Sequence, residues 1–131
     1  MATLREVQVT FDCAHPKKVA EFWCEVLGYT LAPDIVDEAD PDWGACTDPT
    51  GKGPRLFFQR VPEGKTVKNK VHLDVRAGTG LVGAERLATL EAEMERLIAL
   101  GATHFETLYA DEENESCIVM QDVEGNEFCL D

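Results

Sequence analysis

The 131-residue sequence predicts an α+β fold made of two copies of one β-α-β-β-β module. The first observation behind this prediction is an internal repeat, because three short patterns recur in the same order in both halves. The repeated patterns are Val7–Phe11 with Val71–Val75, Leu27-Gly28 with Leu100-Gly101, and Asp48-x-x-Gly51 with Asp122-x-x-Gly125. The second observation is that each half combines one amphipathic helical segment with several short strand-like segments. We expect a single domain over residues 1–131, with modules at about 5–62 and 69–131.

The first module begins with residues 7–11, where apolar and polar residues alternate as in a half-buried strand. The polar face of this strand carries Gln8, Thr10 and Asp12. Pro16 then opens a helix that Gly28 ends. The apolar stripe of the helix is expected in the core and consists of Val19, Phe22, Trp23, Val26 and Leu27. Three further strands are predicted over Tyr29–Val36, Trp43–Thr47 and Arg55–Val61.

The second module shows the same order, starting with a strand over Val71–Arg76. Its polar face carries His72, Asp74 and Arg76, and Val71, Leu73 and Val75 lie on the apolar face. The helix that follows has the apolar stripe Leu87, Leu90, Met94, Leu97 and Ile98 and ends at Gly101. The last three strands are predicted over Thr103–Tyr109, Ser116–Gln121 and Glu127–Leu130. The polar faces of the two sheets either line a shared cleft or simply meet water.

Charge and cysteine content restrict the function classes. The formal net charge is −13 and the one lysine cluster is confined to Lys65–Lys70, so nucleic acid is not an expected partner. No apolar stretch approaches the roughly 20 residues of a membrane span, and the first residues lack the pattern of a signal peptide. Five cysteines without a C-x-x-C spacing are typical of free thiols in a reduced compartment. We therefore expect a cytoplasmic protein that contacts neither nucleic acid nor membrane.

The repeat and three segments resemble the vicinal oxygen chelate superfamily, and within it the glyoxalase-like group. The segments that carry the resemblance are Arg55–Pro62, Val67–Asp74 and Met120–Leu130. The resemblance implies paired modules that form a cup-shaped, mostly antiparallel sheet with the helices outside, and it implies a homodimer. It leaves the reaction open, because the superfamily includes glyoxalase I, extradiol dioxygenases, epimerases, thiol transferases acting on fosfomycin, and bleomycin-sequestering proteins.

Metal-dependent members of the superfamily take their ligands from the first and last strand of each module. Carried over to this sequence, those positions are Gln8, Gln59, His72 and Cys129. Divalent metals in such sites are held by imidazole and carboxylate groups. The neutral amides of Gln8 and Gln59 are poor substitutes for either kind of ligand. We therefore expect no cofactor. A divalent metal held by His72, Cys129 and one glutamine is the alternative.

The resemblance and the strand faces together suggest the roles of individual residues. His72 is the expected acid or base, with Glu127 as a second catalytic group, since histidine exchanges protons near neutral pH. The alternative for His72 is a purely structural role, in which its hydrogen bonds anchor the polar side of a sheet. The expected substrate-binding residues are Gln8, Trp43, Phe57, Gln59 and Asp74, with Phe105 as a further aromatic candidate. Arg55 and Arg60 are expected at the surface, and contact with an anionic substrate group is their alternative role.

Three functions are compatible with these residues. The first is a glyoxalase-like enzyme that acts on a small organic metabolite by metal-independent acid and base chemistry. The second is a non-catalytic protein of the bleomycin-resistance type that binds a cationic or aromatic compound. The third is a metal-dependent lyase or dioxygenase with a reduced ligand set. All three have a small-molecule ligand as partner.

Overall fold

The computed structural model describes residues 2–131. Its internal contacts divide the chain into two compact units, one that ends at Gly64 and one over Lys65–Asp131. Each unit contains one helix and one four-stranded sheet in the order β-α-β-β-β. The predicted α+β class and the repeated module are thereby confirmed.

The first unit consists of β1 (Gln8–Cys13), α1 (Pro16–Leu27), β2 (Thr30–Leu31), β3 (Trp43–Thr47) and β4 (Arg55–Arg60). Its sheet has the order β1-β4-β3-β2, in which β1 runs parallel to β4 and the other pairs are antiparallel. Helix α1 has Pro16 at its start and ends at Gly28, which adopts a left-handed φ of 70°. Trp23 on this helix is fully buried, and its ring centroid lies 5.4 Å from that of Phe11. The predicted apolar stripe of α1 therefore packs on the sheet.

The second unit consists of β5 (Leu73–Val75), α2 (Gly83–Ala99), β6 (Thr103–Leu108), β7 (Cys117–Gln121) and β8 (Glu127–Leu130). Its sheet repeats the first topology with the order β5-β8-β7-β6, and β5 is parallel to β8. Leu90 and Leu97 of α2 are fully buried, as expected from the stripe. Within residues 2–131, no helix is both long and apolar enough to cross a bilayer.

Several predicted strand boundaries are wrong. The strand expected over Tyr29–Val36 stops at Leu31, because Pro33 begins a 3₁₀ turn over Pro33–Ile35. Val7 and Val71 lie outside their strands and are 71% and 77% exposed, although both were expected on the apolar face. The reason is register: the parallel ladders begin only at the pairs Gln8 with Arg55 and Leu73 with Phe128. Ile98, expected in the helix stripe, is 38% exposed.

Candidate functional site

Each sheet has one face covered by its helix and one face that the helix leaves open. In β4, Leu56 and Phe58 are buried on the helix side, whereas Arg55, Phe57 and Gln59 alternate with them on the other side. In β8, Phe128 and Leu130 are buried, and Cys129 lies on the opposite side. We call these uncovered sides the open faces of the two sheets. All but one of the predicted site residues lie on strand positions of an open face, and the exception, His72, immediately precedes β5.

The open face of the second sheet brings together His72, Asp74 and Cys129. Parallel pairing of β5 with β8 places Asp74 directly beside Cys129, and His72 precedes Asp74 by two residues. Nε2 of His72 lies 3.2 Å from Oδ1 of Asp74, and the two side chains are 43% and 51% exposed. One imidazole nitrogen, one carboxylate oxygen and the sulfur of Cys129 all lie within 4.8 Å of one another. The structure thus assembles a histidine-carboxylate pair with a thiol next to it.

The thiol of Cys129 stays protonated at neutral pH in the absence of a cation. Burial, then the neighbouring Cys117 and Asp74, raise the pKa of Cys129 to about 12. Burial also raises the pKa of Cys117, with Asp131 adding to the shift. Both effects arise because an apolar and acidic environment disfavours the negatively charged thiolate. Cys129 is therefore a poor nucleophile in this environment.

Glu127, the second predicted catalytic residue, forms an ion pair and hydrogen bonds with the segment that begins the second unit. Its side chain is 8% exposed and its Oε2 lies 3.0 Å from Nζ of Lys65. The backbone N–H of Asn69 donates to Oε1 of Glu127 at 3.2 Å, and the side-chain amide of Asn69 donates to the Glu127 carbonyl at 3.4 Å. Burial raises the pKa of Glu127, but the hydrogen bonds from Lys65 and Asn69 outweigh it and leave this pKa below its ordinary value.

The two glutamines on the open face of the first sheet are held by neighbouring side chains. Oε1 of Gln8 accepts a hydrogen bond from Nη1 of Arg55 at 2.7 Å, and Nε2 of Gln59 donates to Oδ1 of Asp12 at 2.7 Å. Both contacts follow from the parallel register, which pairs Gln8 with Arg55 and Asp12 with Gln59. The oxygen of Gln8 therefore points at a positive charge.

The predicted aromatic residues of the first unit form a stack on the same face. The rings of Trp43 and Phe57 are nearly parallel, at 11°, with centroids 5.9 Å apart. The guanidinium of Arg55 lies over the ring of Phe57, 5.3 Å from its centroid. Phe105, in contrast, lies in the second unit and is 61% exposed. Of the predicted aromatic candidates, Trp43 and Phe57 therefore come together within the first unit.

Sequence reasoning placed Arg55 at the surface and did not identify Lys65 or Asn69. Arg55 contacts Gln8 and Phe57, and Lys65 and Asn69 bind Glu127. The signal for Arg55 was its spacing, because it lies two residues before Phe57 and so shares its strand face. No sequence signal identified Gln8 as its neighbour, since the register between distant parallel strands is set only on folding.

The residues at the superfamily's metal positions differ between the two units. In the first unit, a cation at Gln8 would be repelled by the guanidinium 2.7 Å from its oxygen, so this position does not fit a metal. In the second unit, His72, Asp74 and Cys129 offer nitrogen, oxygen and sulfur donors, which is a set that zinc accepts. Among residues 2–131, a donor set that fits a divalent cation is therefore found in the second unit alone.

Comparison with known protein families identifies the family to which this chain belongs. A family model described as a glyoxalase-like domain matches residues 8–130, which span both units. The chain belongs to this glyoxalase-like domain family. No curated protein matches the glyoxalase-like chain.

Solved structures that resemble the glyoxalase-like chain come from the same superfamily. A glyoxalase/bleomycin resistance protein/dioxygenase family enzyme from Burkholderia phytofirmans PsJN has 16% sequence identity, 94% coverage of both chains and a TM-score of 0.67. The fosfomycin resistance protein FosX from Mesorhizobium loti has 11% identity, covers 98% of this chain and 92% of its own, and has a TM-score of 0.66. A FosX mutant from Listeria monocytogenes, complexed with Mn(II) and 1S,2S-dihydroxypropylphosphonic acid, has 11% identity, coverages of 99% and 91%, and a TM-score of 0.66. At these identities the likeness establishes the fold, and the reaction has to be argued from the site.

Proposed function

We propose that this glyoxalase-like protein binds a small organic metabolite and transforms it by proton transfer, with His72 as the acid or base. The observation that carries the proposal is the 3.2 Å separation between Nε2 of His72 and Oδ1 of Asp74 on an open sheet face. Both side chains are partly exposed, so a substrate can reach them. A histidine held by a carboxylate is a recurrent arrangement for moving protons at neutral pH.

Asp74 acts in this proposal by orienting the imidazole. When Nε2–H of neutral His72 donates to the carboxylate, the other ring nitrogen, Nδ1, is left as the acceptor for a substrate proton. After proton uptake, the negative charge of Asp74 stabilises the imidazolium that forms. The same carboxylate therefore selects the tautomer and lowers the energy of the charged intermediate.

The catalytic role that the sequence suggested for Glu127 stays a prediction. Its contacts with Lys65 and Asn69 support a different role, in which Glu127 positions the segment over residues 65–69. A carboxylate whose pKa lies below the ordinary value is ionised at neutral pH, so it is unsuited to donate a proton. We therefore assign proton transfer to His72 and positioning to Glu127.

The test is a turnover screen with a panel of small carbonyl and carboxylate metabolites, in which substrate loss is followed by mass spectrometry. His72→Gln should lower kcat by at least about 100-fold and leave KM nearly unchanged, because proton transfer contributes about this much. Asp74→Asn should lower kcat by about tenfold, since the imidazole is kept but loses its charged partner. His104→Gln serves as the matched control, as His104 lies on β6 and bonds Thr107. A folded His72→Gln protein with the wild-type kcat would exclude the proposal.

A second candidate is a metal-assisted reaction in the same place. It is favoured by the cluster of His72, Asp74 and Cys129, whose donor atoms lie within 4.8 Å of one another. A divalent cation bound by these residues would supply Lewis-acid polarisation of a substrate oxygen. His72 and Cys129 would then hold the cation, and Asp74 would both bind it and neutralise part of its charge.

Elemental mass spectrometry of the untagged protein, purified without chelators, separates the two candidates. About one transition metal per chain, lost in both His72→Ala and Cys129→Ser but retained in Cys24→Ser, would establish the cation site. Turnover that survives removal of metal by a chelator would instead support metal-independent proton transfer. Saturable ligand binding without turnover in any panel compound would indicate a binding protein of the bleomycin-resistance type.

A further inference from the structure

The first unit contains a cavity of about 610 Å³ whose lining residues all belong to that unit. It lies where the parallel strands β1 and β4 begin, beside the turn that precedes β4. Residues before β1, the turn over 51–54 and the first residues of both strands form its wall. The side chains that matter for its chemistry are Arg5, Glu6, Gln8, Lys52 and Arg55.

The charge of this cavity is opposite to that of the whole chain. The chain carries a formal net charge of −13, yet the cavity wall holds three basic side chains and one acidic side chain. Arg5, Lys52 and Arg55 are three of the six lysine and arginine residues in residues 1–64. A concentration of positive charge in an acidic protein attracts anions to this place.

Arg55 is fixed in place without being neutralised. Its Nη1 donates to Oε1 of Gln8 at 2.7 Å, and its guanidinium lies over the ring of Phe57 at 5.3 Å. Within residues 2–131 the guanidinium of Arg55 makes no ion pair, whereas Arg60 on the same strand pairs with Asp40 at 2.6 Å and Asp42 at 3.1 Å. An amide oxygen and an aromatic ring orient Arg55 and leave its charge available.

We propose that this cavity binds the oxyanion group of a small metabolite, either a carboxylate or a phosphate, through Arg55. A guanidinium held by these two contacts offers its remaining N–H groups as a planar fork that matches two oxygens of one anionic group. Lys52 and Arg5 line the same cavity and add positive charge to it. The inference is independent of the chemistry at His72, because it concerns equilibrium binding to the first unit.

The test is isothermal titration calorimetry of the full chain with sodium benzoate and, separately, with inorganic phosphate at low ionic strength. Saturable binding of one anion per chain is expected, and the anion that binds more tightly identifies the carboxylate or phosphate preference. Arg55→Gln should weaken binding at least about tenfold, the loss expected when a charged hydrogen bond is removed. Arg96→Gln is the control, because it makes the same change of charge on α2. Its affinity for the anion should stay within about twofold of that of the wild type.

Two further variants keep the test decisive if Arg55→Gln is unstable. Arg55→Lys retains the charge but loses the planar fork, so binding should weaken by several-fold while the fold is retained. Lys52→Gln should weaken binding about threefold, because it removes a flanking charge. The proposal is overturned if neither anion binds saturably up to about 10 mM, if Arg55→Gln binds like wild type, or if Arg96→Gln loses as much affinity as Arg55→Gln.

Discussion

Nζ of Lys65 lies 3.0 Å from Oε2 of Glu127, so the first residue of the second unit is bound to its last strand. The backbone N–H of Asn69 donates to the other carboxylate oxygen at 3.2 Å. The side chain of Glu127, which is only 8% exposed, thus binds both ends of the segment over residues 65–69. A buried carboxylate of this kind stabilises the fold only while its charge is matched by partners.

Glu127→Gln should lower the free energy of unfolding by about 1 to 3 kcal/mol, because it removes the charge that Lys65 and Asn69 bind in a buried place. Urea denaturation followed by circular dichroism measures the effect. Glu106→Gln is the matched control, since Glu106 is exposed on β6, and it should change stability by no more than about 0.5 kcal/mol. Equal stabilities for the two variants would contradict the anchoring role of Glu127.

The stabilisation by Glu127 should disappear on acidification. The folded pKa of Glu127 lies below its ordinary value of 4.5, so the unfolded chain takes up the proton first as the pH falls. The contribution is therefore complete above the ordinary pKa and is lost as the pH falls through the lower folded pKa. Urea denaturation of wild type and Glu127→Gln at neutral pH and at several values below 4.5 should show the difference between them shrinking. A difference that stays constant with pH would refute this assignment.

The two repeated Asp-x-x-Gly turns should differ in how much they contribute to the stability of the fold. Oδ1 of Asp122 accepts hydrogen bonds from the backbone N–H groups of Glu124 at 2.8 Å and Asn126 at 3.0 Å, and Asp122 is 2% exposed. Asp48 binds its own turn in a similar way but is only half-buried. Asp122→Ala should therefore cost about 2 to 3 kcal/mol and Asp48→Ala about 1 kcal/mol, because the donors to the buried Asp122 are part-buried, whereas the Thr50 donors to Asp48 are exposed and can bind water instead. Thermal and urea denaturation of the two variants measure both losses of stability. The prediction is wrong if Asp48→Ala is the more destabilising substitution.

The cysteines should differ in reactivity, with Cys24 reacting first. A hydrogen bond from Cys46 lowers the pKa of the half-buried Cys24, although burial opposes it. The hydrogen bond to Cys24 and then burial raise the pKa of Cys46, whose side chain is fully buried. Since the thiolate is the reactive form, iodoacetamide near pH 8 should alkylate Cys24 faster than Cys46 or Cys129. A peptide mass-spectrometry time course measures this, with unfolded protein as the control in which the rates converge.

Much of the fold was predictable because it depends on local periodicity. Phe22 and Trp23 were expected in the core from their helical spacing and are 4% and 0% exposed. The strand over Trp43–Thr47 was predicted with the correct boundaries, whereas the strand expected over Tyr29–Val36 was cut short by Pro33. The difference has a local cause, since proline at the start of a turn competes with strand pairing.

Less of the candidate site was predictable, because its contacts join residues far apart in the chain. Alternation placed His72 and Asp74 on one face, but it did not indicate that their side chains lie 3.2 Å apart or that Cys129 is beside them. The same holds for Glu127, which shares its strand with Cys129 but binds Lys65. Rotamers and partners of this kind depend on packing that periodicity does not describe.

The sequence alone determined the repeat, the α+β class, and the alternation that places Gln8 and Asp74 on the sides of their strands away from the helix. These properties follow from hydrophobic periodicity and from turn residues such as Asp48 and Asp122, which act over a few neighbouring positions. Only the tertiary structure decided that Arg55 meets Gln8, that Lys65 meets Glu127, and that Asp74 lies beside Cys129. Each of these contacts depends on the register or docking of segments about 50 or more residues apart, which no local pattern specifies.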